Sequence, residues 1–421
     1  MWILNQLRSR RGDSKKCMRD GMGMLLDGIR VLDVSRFIAG PYCGWLLASM
    51  GAEVIRVESS RGEFDRYYSL PTKTGENVIF LSLVRGKKSI TLNFNKGEKA
   101  RQLFYKLVRK SDVVIENLGP GIPERWGLTY EDLRRIKPDI ILVHITAFGS
   151  AGPYKDRVGF DALAQAMSGI MSVTGLPGAP IRCTVPFVDF ATATHAALGV
   201  VSALLYRRKT GRGQKIELSL LRTAVTWAGP AAICEYTATG RERKPRRIGN
   251  RGYWVSFVDL CETRDGKKVM ISVLGTLLKR LLRVMGREDL INDARFMTDL
   301  EAFENRQVLD PIIKEWIASK SIQELEEIAS KHRIPLAPVL DYTEVQKHPQ
   351  VRLEEMFIEA RLSGADFKIS VPAFPIRFSE KESFKDLSII PSLGEHNEEI
   401  WGKLCGLSAH ELDELRREGV I

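Results

Sequence analysis

Short runs of apolar, often β-branched residues alternate with longer segments of helical pattern from residue 26 onward. Apolar runs of this length are typical of buried strands, and the longer segments are typical of helices. The predicted strands are 29–34, 53–57, 89–92, 113–115 and 140–145, and the predicted helices are 41–50, 96–109 and 130–136. Strands that alternate with helices indicate a parallel sheet flanked by helices. We therefore predict an α/β first domain.

The second half of the chain contains a polar, basic segment, 239–251, which is typical of a connector. The elements predicted around it are a helix at 190–206, a glycine-rich turn into a strand at 216–219, a hairpin within 254–273, mainly helical structure over 274–331, an extended stretch at 367–378 and a closing helix at 408–418 capped by Ser408. The 421 residues exceed the roughly 250 to 300 at which one hydrophobic core stops growing, so we expect two domains.

Composition excludes several classes of protein. With 44% hydrophobic and 27% charged residues, the chain is neither disordered nor collagenous. The longest stretch without a charge, 162–181, is interrupted by glycines and prolines, so we expect no membrane span. The net charge of +11 favours an anionic partner such as a phosphorylated cofactor. No nucleic-acid-binding motif accompanies this charge, so we expect no nucleic-acid partner.

The six cysteines are scattered, with no two closer than 26 positions and no C-x-x-C pair. This spacing argues against a disulfide framework and against a zinc site, and Glu395-His396 alone is too small a donor set, so we predict no bound metal. The N-terminal stretch lacks the continuous apolar segment of a signal peptide. We therefore expect a cytoplasmic protein.

Two predicted strand ends could bind an anion. The segment 34–41 connects the first strand to its helix, where free backbone N–H groups can hold a phosphate, although an ordinary strand-to-helix turn has the same pattern. The segment 114–121, followed by Arg125, offers an amide and a guanidinium after another strand, although this can also be a turn with a solvated arginine.

Asp189 is the most unusual carboxylate in the sequence, because it lies between apolar residues in Phe187-Val-Asp-Phe190 at the start of a predicted helix. A carboxylate there is costly unless it is hydrogen-bonded, and the helix N-terminus could supply those bonds while keeping it ionised. A helix cap and an activated nucleophile therefore both remain open for Asp189. Asp161 also precedes a predicted helix, where a cap is the favoured interpretation, and His195 is expected to pack within its helix.

Taken in order, a series of short motifs resembles the class III CoA-transferases, the formyl-CoA transferase and CaiB/BaiF family, from Leu26 to Ile421. The motifs are Leu26-Asp-Gly-Ile29, Ala39-Gly-Pro41, Gly51-Ala-Glu-Val-Ile-Arg-Val-Glu58, Lys88-Ser89, Glu116-Asn117 with Gly119-Pro120, Phe148-Gly149 with Gly152-Pro153, Ala164-Gln165 with Ser168-Gly169, Thr210-Gly-Arg-Gly-Gln214, Gly249-Asn-Arg251, Arg333-Ile-Pro335 and Leu393-Gly-Glu-His396.

The resemblance implies a Rossmann-like large α/β domain built from both chain ends, a smaller α+β domain from the middle, and an interlocked homodimer. The organisation expected from it is a flexible basic extension at 1–24, the large domain at 25–222, a linker at 223–250, the small domain at 251–345, and a linker with the C-terminal return to the large domain at 346–421.

The resemblance also implies the chemistry. Asp189 aligns with the family's nucleophilic aspartate, which would carry CoA from an acyl-CoA donor to a small carboxylic acid through anhydride and aspartyl-CoA thioester intermediates. CoA would be a substrate and not a permanently bound cofactor. The contacts to CoA implied by the alignment fall on Ile38, Ala39, Leu92, Asn117, Leu118, Gly119, Arg125, Ala147 and Phe148.

The sequence departs from the formyl-CoA transferases at several positions. Ile38 replaces a glutamine, which favours a different acid pair from oxalate and formate, or backbone oxyanion donors. Asn95 and Thr146 replace lysines.

A rival function is an acyl-CoA racemase of the same fold, although Phe160 stands where racemases carry a histidine. A second rival is a CoA-binding protein without catalysis, against which the presence of Asp189 argues.

Overall fold

The computed structural model describes residues 24–68, 70–239, 247–379 and 387–421. Within these residues, the strands are β1 (Arg30–Asp33), β2 (Glu53–Glu58), β3 (Lys88–Thr91), β4 (Val113–Glu116), β5 (Ile141–Thr146), β6 (Gly175–Leu176), β7 (Ala179–Pro180), β8 (Lys215–Ser219), β9 (Phe257–Glu262), β10 (Lys268–Val273), β11 (Leu336–Pro338), β12 (Phe357–Leu362), β13 (Lys368–Pro372) and β14 (Ile389–Ile390).

The α-helices are α1 (Ala39–Ser49), α2 (Phe64–Tyr67), α3 (Val78–Val84), α4 (Glu98–Val108), α5 (Ile122–Trp126), α6 (Tyr130–Ile136), α7 (Asp161–Met167), α8 (Ile170–Val173), α9 (Phe187–Thr210), α10 (Leu220–Thr239), α11 (Thr276–Val284), α12 (Asp299–Glu304), α13 (Arg306–Ala318), α14 (Ile322–His332), α15 (Tyr342–Lys347), α16 (Pro349–Leu353) and α17 (Ala409–Arg417). A π-helical segment, Glu398–Leu404, precedes the last helix.

A six-stranded sheet forms the centre of the first half of the chain, with the strand order β3-β2-β1-β4-β5-β8. Every neighbouring pair in it is parallel. The α/β class predicted from the sequence is therefore confirmed. The chain passes from β1 to β2 and β3 on one side and then returns to β4 on the other side, which places a topological switch point between β1 and β4.

The strands of this sheet are apolar because helices cover both faces. Val31, Leu32 and Ile55 are fully buried in β1 and β2, as expected for parallel strands. The closing helix α17 adds Leu412 and Leu415 to the same core. The C-terminal residues therefore pack on the sheet formed by the N-terminal residues.

The described chain divides into two compact units. One contains the residues up to Ala164 together with Val185–Thr226 and Met356–Ile421, and the other contains Gln165–Thr184 and Trp227–Glu355. The second unit has its own sheet, β11-β10-β9, which includes the predicted hairpin, and its own apolar core. The domain boundaries expected from the sequence stay predictions, and the expected extension at 1–24 lies outside the described residues except for Met24.

The structure differs from the sequence-based prediction at the expected linker, 223–250. Helix α10 occupies Leu220–Thr239, so much of this segment is helical. Ser219 at the end of β8 accepts a hydrogen bond from the Arg222 N–H, which helps the helix to begin directly after the strand. The rest of the expected linker includes residues 240–246, which lie outside the described part of the chain.

Helix α9 is apolar and 24 residues long, so by length and composition it could cross a membrane. Its buried residues include Ala193, Ala196 and Val200, which pack inside the first unit. A core helix of a globular protein passes the same test, so its length is weak evidence for a membrane span.

Candidate active site

A cavity of about 500 Å³ lies at the edge of the sheet where β4 and β5 end. The loops after β1, β4 and β5 supply most of its lining, and Leu220 closes it from the start of α10. In open α/β sheets, ligands bind beyond the carboxyl ends of the strands at the switch point, which is the location of this cavity. Its charged side chains are Arg36, Glu124, Lys155, Asp156, Arg157 and Asp189, with the imidazole of His144.

Asp189 is the third residue of α9, and it lines the cavity. The helix N-terminus is occupied by a different carboxylate, because Asp161 Oδ2 accepts the N–H groups of Val188 at 2.8 Å and Asp189 at 3.2 Å. Asp161 therefore caps α9, although it is itself the first residue of α7. Of the two functions left open for Asp189, the helix-cap interpretation is wrong.

The Asp189 carboxyl group is partly buried and has an unusual electrostatic environment. Burial, assisted by the negative charge of Asp161, raises its pKa from the ordinary value near 4 to about 7. Within the described residues, no hydrogen bond reaches its side-chain oxygens. The helix N-terminus thus does not lower the pKa of Asp189, contrary to the expectation from the sequence, because Asp161 accepts the N–H groups.

The residues that the resemblance assigned to CoA binding divide into two groups. Those that line the cavity are Ala39, Asn117, Leu118, Gly119 and Ala147. The others, Ile38, Leu92, Arg125 and Phe148, are not part of its lining. Leu92 is 1% exposed and packs in the core of the first unit, while Arg125 is exposed on α5. Five of the nine predicted positions therefore line the cavity.

Asn117 connects two of the cavity loops. Its Oδ1 accepts the Arg36 N–H at 2.6 Å, and its Nδ2 donates to the Arg36 carbonyl at 2.8 Å. The side-chain amide thus pairs with the backbone of the loop after β1 as a neighbouring strand would. Its side chain holds the two loops together beside the switch point.

The family follows from comparisons with known proteins. Residues 26–397 match the model of a family described as CoA-transferase family III. The chain is 33% identical to the succinyl-CoA–D-citramalate CoA-transferase of Chloroflexus aurantiacus, over 94% of this chain and 98% of the relative. It is 31% identical to the formyl-CoA:oxalate CoA-transferase of Streptomyces avermitilis, over 95% and 100%. The crystal structure of a CaiB/BaiF family protein from Brucella suis has a TM-score of 0.78 at 32% identity, and the match covers 91% of this chain and 100% of that chain.

The chain belongs to CoA-transferase family III. It is an enzyme of a family that moves CoA between acyl-CoA thioesters and carboxylic acids. The family resemblance drawn from the sequence motifs is therefore confirmed, and CoA esters are substrates of the family.

This family III CoA-transferase has cavity residues that the sequence analysis did not identify. His144 on β5 lies opposite Glu116 on β4 in the parallel register, and its Nδ1 is hydrogen-bonded to the buried Glu116 carboxylate. This hydrogen bond fixes the orientation of the imidazole ring in the cavity wall. The signal available in the sequence was the position of His144 near the end of a predicted strand.

Aromatic rings form another unpredicted part of the transferase cavity. Phe37 and Phe160 both line it, and their ring centroids lie 5.2 Å apart in an edge-to-face arrangement. Phe160, which the resemblance is expected to align with the histidine of racemases, is 57% exposed. An aromatic ring there cannot accept a proton, whereas it can contact an apolar part of a ligand.

Proposed function

We propose that this enzyme transfers CoA from an acyl-CoA to a small carboxylic acid through covalent intermediates on Asp189. The observation that carries the proposal is a carboxyl group in the cavity whose pKa burial raises to about 7. A carboxylate that has lost much of its hydration is a stronger nucleophile, and near neutral pH a substantial fraction of it is still ionised. The same environment limits the access of water, which would hydrolyse an anhydride or a thioester.

In the first half-reaction, an Asp189 oxygen attacks the thioester carbonyl of the donor, and the carbon–sulfur bond breaks. This step yields a mixed anhydride and the CoA thiolate. The thiolate then attacks the aspartyl carbonyl, which gives an aspartyl-CoA thioester and releases the donor acid as its carboxylate.

The second half-reaction is the reverse with a different acid. The acceptor carboxylate attacks the aspartyl-CoA thioester, which forms a second anhydride and frees the thiolate again. The thiolate attacks the acceptor's acyl carbonyl, the new acyl-CoA forms, and the Asp189 carboxylate is regenerated. One thioester replaces another, so binding energy can be used to hold the reacting groups in place.

CoA carries several phosphate charges, and the cavity offers cations for them. Arg36, Lys155 and Arg157 belong to its lining. The Arg36 guanidinium is also paired with Glu63 at 2.8 Å, and the Arg157 guanidinium lies 3.8 Å from the centroid of the Tyr154 ring. Of the three, Lys155 and Arg157 are exposed, and we infer that these two make the main ion pairs with the CoA phosphates.

The nucleophile assignment is tested with Asp189→Ala and the isosteric Asp189→Asn. We expect both variants to lose CoA exchange by at least roughly a thousandfold while CoA affinity stays within about twofold of wild type. Wild type incubated with acyl-CoA and hydroxylamine should be inactivated, whereas the variants should not react. Exchange that continues in Asp189→Ala would overturn the assignment.

Proton exchange at the α-carbon of an acyl-CoA is the second candidate function, and His144 is the observation that favours it. A histidine held by Glu116 lies in the lining of the same cavity as Asp189, and such a pair can act as a general base. Turnover in heavy water distinguishes the two functions, since racemisation introduces deuterium at the α-carbon. We expect CoA transfer without this incorporation.

The identity of the acids, the assembly and the location form the remaining parts of the proposal. Relatives named for citramalate and for oxalate support small carboxylic acids as acceptors, and Ile38 argues against the oxalate and formate pair. We expect an interlocked homodimer in the cytoplasm, with acyl-CoA bound only during turnover. A mass-spectrometric screen of acyl-CoA donors against carboxylic acids, together with light-scattering measurement of the molar mass, tests these points.

A further inference from the structure

Phe37 lines the cavity with a backbone conformation that is rare for a bulky residue. Its φ angle is +61°, in the left-handed region that glycine favours. The other described non-glycine residues with positive φ are Trp254, Arg333 and Glu355, and none of them lines the cavity. Such a conformation persists only where surrounding groups enforce it, and it tends to occur where a side chain must be placed for function.

A hydrogen bond to a buried carboxylate holds this conformation. The Phe37 N–H donates to Asp65 Oδ2 at 2.8 Å, and Asp65 is 3% exposed. The Arg56 guanidinium lies 3.3 Å from the same oxygen and is 1% exposed. Its other amino group donates to the Ser35 carbonyl. Arg56 thus binds both the loop after β1 and the carboxylate that orients Phe37.

The same network anchors both ends of the loop. Asp33 at the end of β1 pairs with Arg56 at 3.4 Å and with Lys87 at 2.7 Å, and all three side chains are buried. The Lys87 ammonium also donates to the Pro41 carbonyl at 2.7 Å, in the first turn of α1. Buried ion pairs are weak evidence for stability, because desolvating the charges offsets their attraction. Fixing the geometry of the loop is the function that this arrangement can serve.

The left-handed backbone conformation of Phe37 determines where its ring lies. The ring packs edge to face against Phe160 and against Phe64, with centroids 5.2 Å and 6.2 Å away. If φ were negative, the Cα–Cβ bond would point in a different direction and the ring would leave this part of the wall. The hydrogen bond to Asp65 therefore controls an aromatic surface of the cavity.

We propose that Asp65 is a positioning residue, which holds Phe37 in the left-handed conformation so that its ring contacts the CoA thioester in the cavity. This inference rests on the proposed function, because it takes a CoA ester as the occupant. Asp65 itself need not touch the ligand; its effect passes through the Phe37 backbone.

A double-mutant cycle between Asp65→Ala and Phe37→Gly tests the inference, with calorimetric Kd values for CoA. Each single variant should weaken CoA binding roughly tenfold, since each removes the aromatic contact. The double variant should be no more than about twofold weaker than Phe37→Gly, because glycine has no ring to position. The inference would be overturned if the affinity losses of the two single variants multiplied in the double variant, or if the Kd for Asp65→Ala stayed within twofold of wild type.

Asp112→Ala is the matched control. Asp112 also accepts a backbone N–H, that of Arg30 at 2.8 Å, and an arginine, Arg207 at 2.8 Å. It directly precedes β4, however, at the amino edge of the sheet and away from the cavity. We expect a lower melting temperature and an unchanged Kd for CoA. A Kd that rises as much as in Asp65→Ala would indicate that general destabilisation explains the effect, and the inference would fail.

Two further outcomes are distinguishable. Should Asp65→Ala not fold, Asp65→Asn replaces it in the cycle, since it keeps the volume of the side chain and removes the charge facing Arg56. The affinity for CoA should then fall at least roughly threefold, and a fall below twofold overturns the inference. If wild type does not bind CoA, the proposed function fails and this inference falls with it. If wild type binds CoA and only the cycle fails, the proposed function stands.

Discussion

Asp161 and Asp189, 28 positions apart in the sequence, meet at the first turn of α9. Asp161 accepts the free N–H groups of the helix, and this leaves the Asp189 carboxyl without the contacts that would lower its pKa. Burial and the charge of Asp161 instead raise that pKa to about 7. Asp161 is thus the helix cap, and Asp189 is the carboxyl group with the raised pKa.

The pH dependence of the enzyme follows from this pair. The nucleophile must be ionised, so kcat/KM should rise as the pH increases through about 7 and level off above it. In Asp161→Asn, the amide still caps α9 but has no charge, so the pKa of Asp189 falls and the rise should move to lower pH. A pH–rate profile of both proteins measures this, and a rise that stays in place or moves upward contradicts the account.

The residues of the site differ in how far the sequence could predict them. Asp189 could be selected because a carboxylate between apolar residues is unusual. The conformation of Phe37 could not be predicted, since it depends on a hydrogen bond that its N–H donates to a residue 28 positions later. The role of Asp161 likewise depends on α9, which begins 26 positions after it. Local sequence carries no signal for either contact.

At the scale of elements, the buried strands were predictable and one long helix was not. The predicted strand at 29–34 corresponds to β1, and that at 140–145 corresponds to β5, because buried parallel strands appear as continuous apolar runs. Helix α10 was missed, since the sequence across it contains Gly229-Pro230, a typical signal for a break. The strand order follows from long-range pairing, which the apolar runs do not encode.

The closing helix offers a prediction about stability. Ser408 accepts the Glu411 N–H, and Glu411 accepts the Ser408 N–H in return, which forms a capping box. We expect Ser408→Ala to lower the free energy of unfolding by about 1 kcal/mol, because the first turn loses its cap. Thr194→Ala on an exposed face of α9 should change it by less than about 0.5 kcal/mol. Urea unfolding compares the two, and equal effects would contradict the importance of the cap.

At the scale of the whole molecule, the charge excess and the cavity are consistent with an anionic ligand. The chain carries 63 lysines and arginines against 52 acidic residues, and Lys155 and Arg157 of the cavity lining are exposed. The composition predicted the sign of the partner's charge, but the family motifs were needed to predict the partner's identity. From the length of the chain alone, only the number of compact units could be predicted, not the residues that form each of them.

Salt should therefore weaken the binding of CoA. We expect its Kd to rise roughly three- to tenfold between about 0.05 M and about 0.5 M sodium chloride, because ions screen exposed charges. Lys155→Gln should raise the Kd at low salt and make it less sensitive to salt. Calorimetry at several salt concentrations measures both effects, and a Kd that does not depend on salt would contradict an ionic contribution from these residues.

Covalent catalysis by Asp189 is tested most directly by mass spectrometry of the enzyme quenched during turnover with an acyl-CoA donor. We expect a CoA thioester on the peptide that contains Asp189. This adduct should disappear when the acceptor acid is added and should be absent in Asp189→Asn. A covalent adduct on another residue, or full turnover without any adduct, would contradict covalent catalysis by Asp189.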